Sequence, residues 1–275
     1  MRKWSIGTSV ASIATVLAVA TALAAPMPFA AHRAAYELKL GRGTGMKAPA
    51  GIDGVILYRF GGSSCAGFAT SFRQITHFER SEGSGRTNDE RVTTLEEPAK
   101  GALKFESRTA GAGGPDRVVS GVAVKGAAGA LDVKLDKPAP GDSSLSGPFE
   151  FPTEQMQALI DAAQAGLTTY SARLYDGSDD GRKPFDTFAV IGARKIGGAV
   201  DPAERVAPLD STPRWPITMS YFAAGGGKDA PPDFTMSYDL YENGVTGSLV
   251  IDYGDFTIEG RMVRFEPLAP AKPCR

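Results

Sequence analysis

Apolar and polar positions alternate with a period of two over most of the chain, the pattern of strands with one covered face. Residues 36–40 (Tyr-Glu-Leu-Lys-Leu) show it plainly, and 55–60 follow as a short apolar run. Residues 68–78 keep Phe68, Phe72 and Phe78 on one side. Further strands are predicted at 91–95, 103–109, 118–125, 131–135, 167–175, 185–193, 217–224, 234–241, 245–253 and 256–265, each bounded by Gly, Pro, Asn or Asp. Asn243-Gly244 predicts a two-residue type I′ hairpin, whose two central positions both need positive φ. Alternation, in place of unbroken apolar runs, predicts antiparallel pairing. The expected fold is all-β, one large antiparallel sheet of about a dozen strands.

One segment breaks the period. Residues 152–166 place Met156, Leu159, Ile160 and Ala163 on one face at helical spacing. Thr153 is the expected N-cap, Glu154 suits the positive end of the helix dipole, and Gly166 is the expected stop. The apolar stripe is expected to cover the end or edge of a sheet, not to hold a cofactor. The proline-rich stretch 199–216 reads as a crossing loop, and no linker divides 25–275, so a single domain is expected.

The first residues follow another rule. Arg2 and Lys3 precede an uncharged run over 6–25 that ends in Ala22-Leu23-Ala24. This is the pattern of a secretory signal peptide over residues 1–24. Pro26 disfavours a cut after Ala25, so cleavage is expected between Ala24 and Ala25. No later segment is long and apolar enough to span a bilayer. The expected location is the periplasm of a Gram-negative cell, with no stable membrane span after processing. Loss of Arg2 and Lys3 moves the formal charge from −1 to −3, which offers nucleic acid no electrostatic footprint.

The only cysteines are Cys65 and Cys274. An even count in an exported chain favours a structural disulfide, and the spacing is neither a redox pair nor a metal-ligand cluster. Closing a loop of about 210 residues is worth about 5 kcal/mol in the chain-entropy model.

Catalytic constellations are missing from the sequence. His32 is expected in a frayed N-terminal segment, and His77 on the exposed face of its strand. No Gly-x-Ser-x-Gly elbow occurs, and Ser63-Ser64 read as turn residues. Asp176, Asp179 and Asp180 offer oxygen ligands for calcium, but they lack the twelve-residue EF-hand pattern and its closing glutamate. A solvated hairpin turn is the preferred reading. The glycine-rich run 41–45 reads as a flexible loop. What remains is a surface: a strongly curved sheet under one helix leaves a concave apolar face, lined by Phe68, Phe72, Phe78, Tyr238, Leu240, Leu249 and Ile251. For most of these residues, simple core filling is the preferred reading.

Several of these segments together resemble the EipB family of alphaproteobacterial cell envelope integrity proteins. They are the leader, Cys65 in its Gly/Ser turn, the 170–191 stretch with Leu-Tyr-Asp-Gly-Ser-Asp-Asp-Gly, and the ending from Tyr238-Asp-Leu-Tyr-Glu-Asn-Gly-Val to Cys274. The resemblance covers essentially the whole mature chain, and none of its elements is a catalytic signature. It implies a periplasmic β-spiral of about fourteen strands with one main helix, similar to the lipoprotein carriers LolA and LolB. It also implies a Cys65–Cys274 disulfide, a role in resisting envelope stress, and a periplasmic tetratricopeptide-repeat partner. The expected function is non-enzymatic: maintaining envelope integrity by binding a protein partner, a lipid or an envelope polymer, with no cofactor. The alternatives are a lipid or lipoprotein carrier using the concave face, and an unrecognised hydrolase. The lack of a convergent acid, base and nucleophile weighs against the hydrolase.

Overall fold

The computed structural model describes residues 29–44, 48–111, 114–225 and 230–271. The leader, its Ala24–Ala25 junction and Cys274 lie outside the described residues. Fourteen strands surround one α-helix. They are β1 (His32–Gly43), β2 (Gly51–Ser63), β3 (Gly67–Glu79), β4 (Arg86–Glu97), β5 (Ala102–Ala110), β6 (Arg117–Lys125), β7 (Leu131–Lys137) and β8 (Gly141–Leu145) before the helix α1 (Pro152–Gln164). After it come β9 (Thr169–Leu174), β10 (Phe185–Ile191), β11 (Arg214–Ala223), β12 (Phe234–Tyr241), β13 (Thr246–Asp252) and β14 (Phe256–Pro267).

All strands belong to one sheet, ordered β8-β7-β6-β5-β4-β3-β2-β1-β14-β13-β12-β11-β10-β9, with antiparallel neighbours throughout. The chain starts in the middle of the sheet, runs out to β8, crosses by α1 to the far edge, and returns from β9 to β1. Twist curls such a sheet, and here it curls without closing. The edge strands β8 and β9 do not pair. The seam between them is sealed by backbone instead: Glu150 donates to Arg173 O at 2.8 Å, Tyr175 donates to Glu150 O at 2.9 Å, and Phe149 donates to Gly129 O at 3.2 Å.

The sequence accounts for thirteen of these strands. β8, Gly-Asp-Ser-Ser-Leu, has no large apolar pair to betray it. β1 runs on through Gly41 to Gly43, where the glycines suggest a loop. A Cβ at Gly41 would meet Thr257 and Glu259 across the pair, so that position needs the bare backbone. The Asn243 turn also differs from expectation. Only Gly244 has positive φ, and Gly244 donates to Tyr241 O while Tyr241 donates to Val245 O, both at 2.9 Å. This is a three-residue loop, a type I turn closed by a left-handed glycine. A side chain at Gly244 would strike Phe29 and Met156.

α1 acts as a stopper. Leu159 and Ile160 are buried against Ala189, Ile191, Trp215, Ile217 and Leu240 of β10–β12. Met156 packs at the margin of the same cluster. Thr153 is not the N-cap. It lies inside the helix, and Phe151 occupies the cap position without a side-chain acceptor. The free N–H groups of the first turn are met by carboxylates: Phe151 donates to Glu154 Oε2 at 2.7 Å, and Thr153 donates to Glu96 Oε2 at 2.9 Å. Glu96 belongs to β4, so this bond ties the helix to the opposite half of the sheet. At the other end Gly166 (φ 76°) donates to Ala163 O at 3.1 Å, and Leu167 donates to Ala162 O at 2.9 Å. These two bonds make the Schellman stop that the glycine predicts.

The connection between β10 and β11 closes the same end. Its Leu209 joins the core with Tyr36, Tyr241, Val245 and Met262. A bulge in β14 opposite Ala35 and Tyr36 frees the Met262 N–H, which Asp201 Oδ2 accepts at 2.9 Å. Beside it, Glu204 takes hydrogen bonds from Tyr241 Oη at 2.8 Å and Ser248 N at 3.0 Å.

His32 is not frayed. It opens β1 at 1 % exposure, its ring stacked 5.7 Å from Phe265 and tilted 5.5 Å from Tyr58. Its Nδ1 lies 2.7 Å from Ala30 O, and burial lowers its pKa, against a smaller opposing effect of that hydrogen bond. The unfolded chain therefore takes up a proton first as pH falls below about 6.5, so stability present at neutral pH is lost on acidification. Replacing His32 by Phe is expected to flatten the fall in melting temperature between about pH 7 and pH 5. Equal pH slopes in the two proteins would contradict this.

Candidate functional site

The strand connections sort into two ends. Those after β2, β4, β6, β10 and β12, together with α1, lie at the closed end. Those after β1, β3, β5, β7, β9, β11 and β13 lie at the other. Between them, every second side chain points into the curl.

The seven residues expected on a concave face all fall on this inner side, at different levels. Phe68 is buried at the closed end, stacked on Phe60 with centroids 5.8 Å apart and edge-on to Phe29 at 5.5 Å. Leu240 is buried against α1. Leu249 and Ile251 fill the central core. Only Phe72, Phe78 and Tyr238 are half-buried, at the margin of the core. Four of the seven therefore fill the core and three line the space above it.

Sequence reasoning missed the rest of that lining. Tyr58, Tyr221, Phe234, Met236 and Phe256 are half-buried on the same face. Tyr58 and Tyr238 each keep accessible surface on this face. Burial pushes the Tyr58 hydroxyl up to about 12, a hydrogen bond to Thr70 opposing it, and burial raises Tyr238 as well. The period-two pattern had marked these strands. Their openness to water depends on how the sheet curls, and no local pattern carries that.

The acidic turn is more than a solvated hairpin. Gly177 and Gly181 are buried; a Cβ on Gly177 would strike Phe105, and one on Gly181 would crowd Leu135 and Val119. Tyr175 is fully buried, edge-on to Phe105 at 6.0 Å, and donates from Oη to Gly181 O at 2.8 Å. The loop thus packs across β5–β7 and fills the gap left by the unpaired edges. Asp176 is drawn inside with it, and burial raises its pKa against the hydrogen bonds that favour its charge. Asp179 turns outward, 3.6 Å from both Arg117 and Lys183, and Asp180 lies 3.7 Å from Lys183. Among the described residues no three acidic, histidine or cysteine side chains are grouped as metal ligands. His77 is exposed, its Nδ1 3.1 Å from Thr87 Oγ1. Cys65 sits exposed in the β2–β3 turn at the closed end.

Together these features define a β-barrel-like protein, stoppered at one end by a helix and lined at the other by half-buried aromatic residues. A solved structure with the same architecture, titled a beta-barrel-like protein of domain of unknown function DUF1849 from Brucella abortus, superposes with a TM-score of 0.81 at 30% identity, covering 88% of this chain and 100% of that one. The Brucella abortus cell envelope integrity protein EipB is 33% identical over 235 residues, 86% of this chain and 83% of that protein. The chain belongs to the EipB-like family, whose profile matches residues 23–269. The fourteen-stranded curled sheet with one main helix is what the family resemblance implied.

Proposed function

We propose that the protein maintains the integrity of the cell envelope from the periplasm, and that it does so by binding. The observation that carries the binding reading is an inner face whose upper aromatic residues, Tyr58, Phe72, Tyr221, Phe234 and Tyr238, stay only half-buried. A fold packed only for its own stability covers such residues. The envelope role rests on the name of the relative that shares a third of its residues. The leader pattern supports export. No helix of the described residues is long and apolar enough to cross a membrane.

A Cys65–Cys274 disulfide belongs to the same proposal. Phe60 and Pro267 both pair with His32, on either side of it, so β2 and β14 reach the closed end two strand spacings apart, roughly 10 Å. Leu268 continues the pairing by donating to Ala31 O at 2.8 Å. The residues between Pro267 and Cys274 span up to about 23 Å when extended, enough to reach the β2–β3 turn.

A second reading, a lipid or lipoprotein carrier, is favoured by the aromatic lining. A tetratricopeptide-repeat protein or an envelope polymer remains the proposed partner for a scaffold. Deleting the gene in the bacterium that encodes it is expected to sensitise cells to detergent and to cell-wall antibiotics. The full chain should restore resistance, and a version lacking residues 1–24 should not. Restoration by the leaderless chain would overturn the periplasmic assignment.

A further inference from the structure

The outer face of the sheet carries a charge pattern that solubility alone does not call for. Five neighbouring strands, in the order β4-β3-β2-β1-β14, present Arg91, Arg73, Arg59, Arg33 and Arg264 on that face. Arg33 lies directly opposite Arg59, and Arg73 directly opposite Arg91. On its other side Arg73 pairs with Leu57, Leu57 with Ala35, and Ala35 with Arg264, so one row crosses all five strands. Directly opposed side chains have Cβ atoms about 5 Å apart, and like charges so placed destabilise a sheet. The row continues to Arg108 of β5, which is matched by Asp116 at 2.6 Å.

Carboxylates on this face are shared. Asp89 accepts from Arg73 at 2.8 Å and from Arg91 at 3.0 Å. Glu266 lies 3.2 Å from Arg33 and 3.3 Å from Arg264. Arg59 is exposed and has no ion pair among the described residues. Five guanidiniums thus meet two carboxylates. Glu37, in the next row, is itself held by Lys39 at 3.6 Å and Arg261 at 4.0 Å, and Glu106 of β5 bounds the patch opposite Thr93. The negative formal charge of the chain hides this concentration, because the five arginines are scattered from β1 to β14. The face also has an apolar crest. β2 is the middle strand of the five, and the outer face of a curled sheet is convex, so Leu57 and Arg59 stand highest on it. Leu57 is 46 % exposed, between Ala35 and Arg73.

The guanidinium fork matches phosphate oxygens bidentately and is only weakly hydrated. An apolar tip ringed by such groups fits the boundary of an anionic bilayer, where the head groups take the charges and the acyl edge takes the tip. A soluble polyanion leaves Leu57 in water. Four strand spacings, roughly 19 Å, separate the strands of Arg91 and Arg264, and the long side chains on the flanks reach toward the plane that Leu57 touches. We propose that the outer face of β4, β3, β2, β1 and β14 docks on an anionic lipid bilayer, with Arg33, Arg59, Arg73, Arg91 and Arg264 on lipid phosphates and Leu57 at the head-group boundary. This surface is separate from the inner face and stands whether or not that face binds a ligand.

The test is co-sedimentation of the mature protein with vesicles of phosphatidylglycerol and phosphatidylcholine in equal parts, and with vesicles of phosphatidylcholine alone. Binding is expected to the anionic vesicles only, and is expected to vanish in about 1 M salt, where the screening length falls to about 3 Å. Combining Arg59→Gln with Arg264→Gln should weaken it about thirtyfold, the scale for two arginines beside an anionic surface. Both side chains are exposed, so the melting temperature of this variant should stay near that of the wild type. Combining Lys100→Gln with Lys183→Gln removes the same charge elsewhere on the surface and should leave vesicle binding intact. Leu57→Ser should weaken vesicle binding severalfold. Failure to bind anionic vesicles, equal binding to both kinds, or an equal loss from the lysine pair overturns the proposal. Vesicle binding that Leu57→Ser leaves intact also overturns it, and marks the arginines as a site for a soluble polyanion.

Discussion

Protein with Cys65 or Cys274 replaced by serine is expected to melt roughly 4–20 °C below the wild type, since losing a native disulfide costs about 2–5 kcal/mol and each kcal/mol is worth about 2–4 °C at this size. The effect follows from where the bridge acts. Leu268 ties this end of the chain to the sheet through its bond to Ala31 O, and α1 and the β10–β11 connection must stay seated at the same end. A covalent tie across about 210 residues restricts the unfolded chain most strongly, because loop-closure entropy grows with length. In cells, the same variants should be more sensitive to detergent. Equal melting temperatures for serine variants and wild type, measured on protein taken from the periplasm, would remove the disulfide from the account.

Replacing Ile160 by alanine should cost about 2–5 kcal/mol, the range for emptying a fully buried aliphatic site. Ile160 is wholly buried among Ala189, Trp215 and Ile217 and has no open side through which the core can relax. Met156 lies at the margin of the same cluster, so Met156→Ala should cost distinctly less. Denaturant titration of both variants measures the difference, and hydrogen exchange at the helix amides should show the stopper loosening before the sheet. An Ile160→Ala change costing no more than Met156→Ala would contradict the stopper role of α1.

The strands were legible because alternation is local. Each inner residue from Ala34 to Leu38 or from Leu131 to Leu135 is apolar and each outer one polar or small, and the covered face enforces that. The helix was equally legible from Leu159, Ile160 and Gly166. Its N-terminal partner was not, since Glu96 is separated from Thr153 by 57 residues and reads in isolation as a surface charge. His32 was misread for a similar reason. Its burial comes from pairing with Phe60 and Pro267, strand positions that only the sheet order brings together. The acidic loop shows the limit most clearly. Asp176 and Asp179 are three residues apart in a turn of one composition, and the packing of Gly177 on Phe105 sends one carboxyl inward and leaves the other in solvent. At the open end, Tyr221 and Phe234 sit on strands that periodicity found. The half-exposure that sets them apart from core residues depends on the radius of the curl.

The proposed binding takes place on the upper part of the inner face, where Tyr58, Phe72 and Tyr238 are only half-buried. Val92 is half-buried on that face in β4, between Phe72 and Ser107, and a tryptophan there would fill the space without touching the outer surface. Resistance to detergent should be measured in cells whose only copy of the gene carries Val92→Trp. The expected result is protein at normal abundance and near-normal melting temperature that fails to protect the envelope. Full protection by a folded protein with its interior filled would rule out the inner face as the working surface.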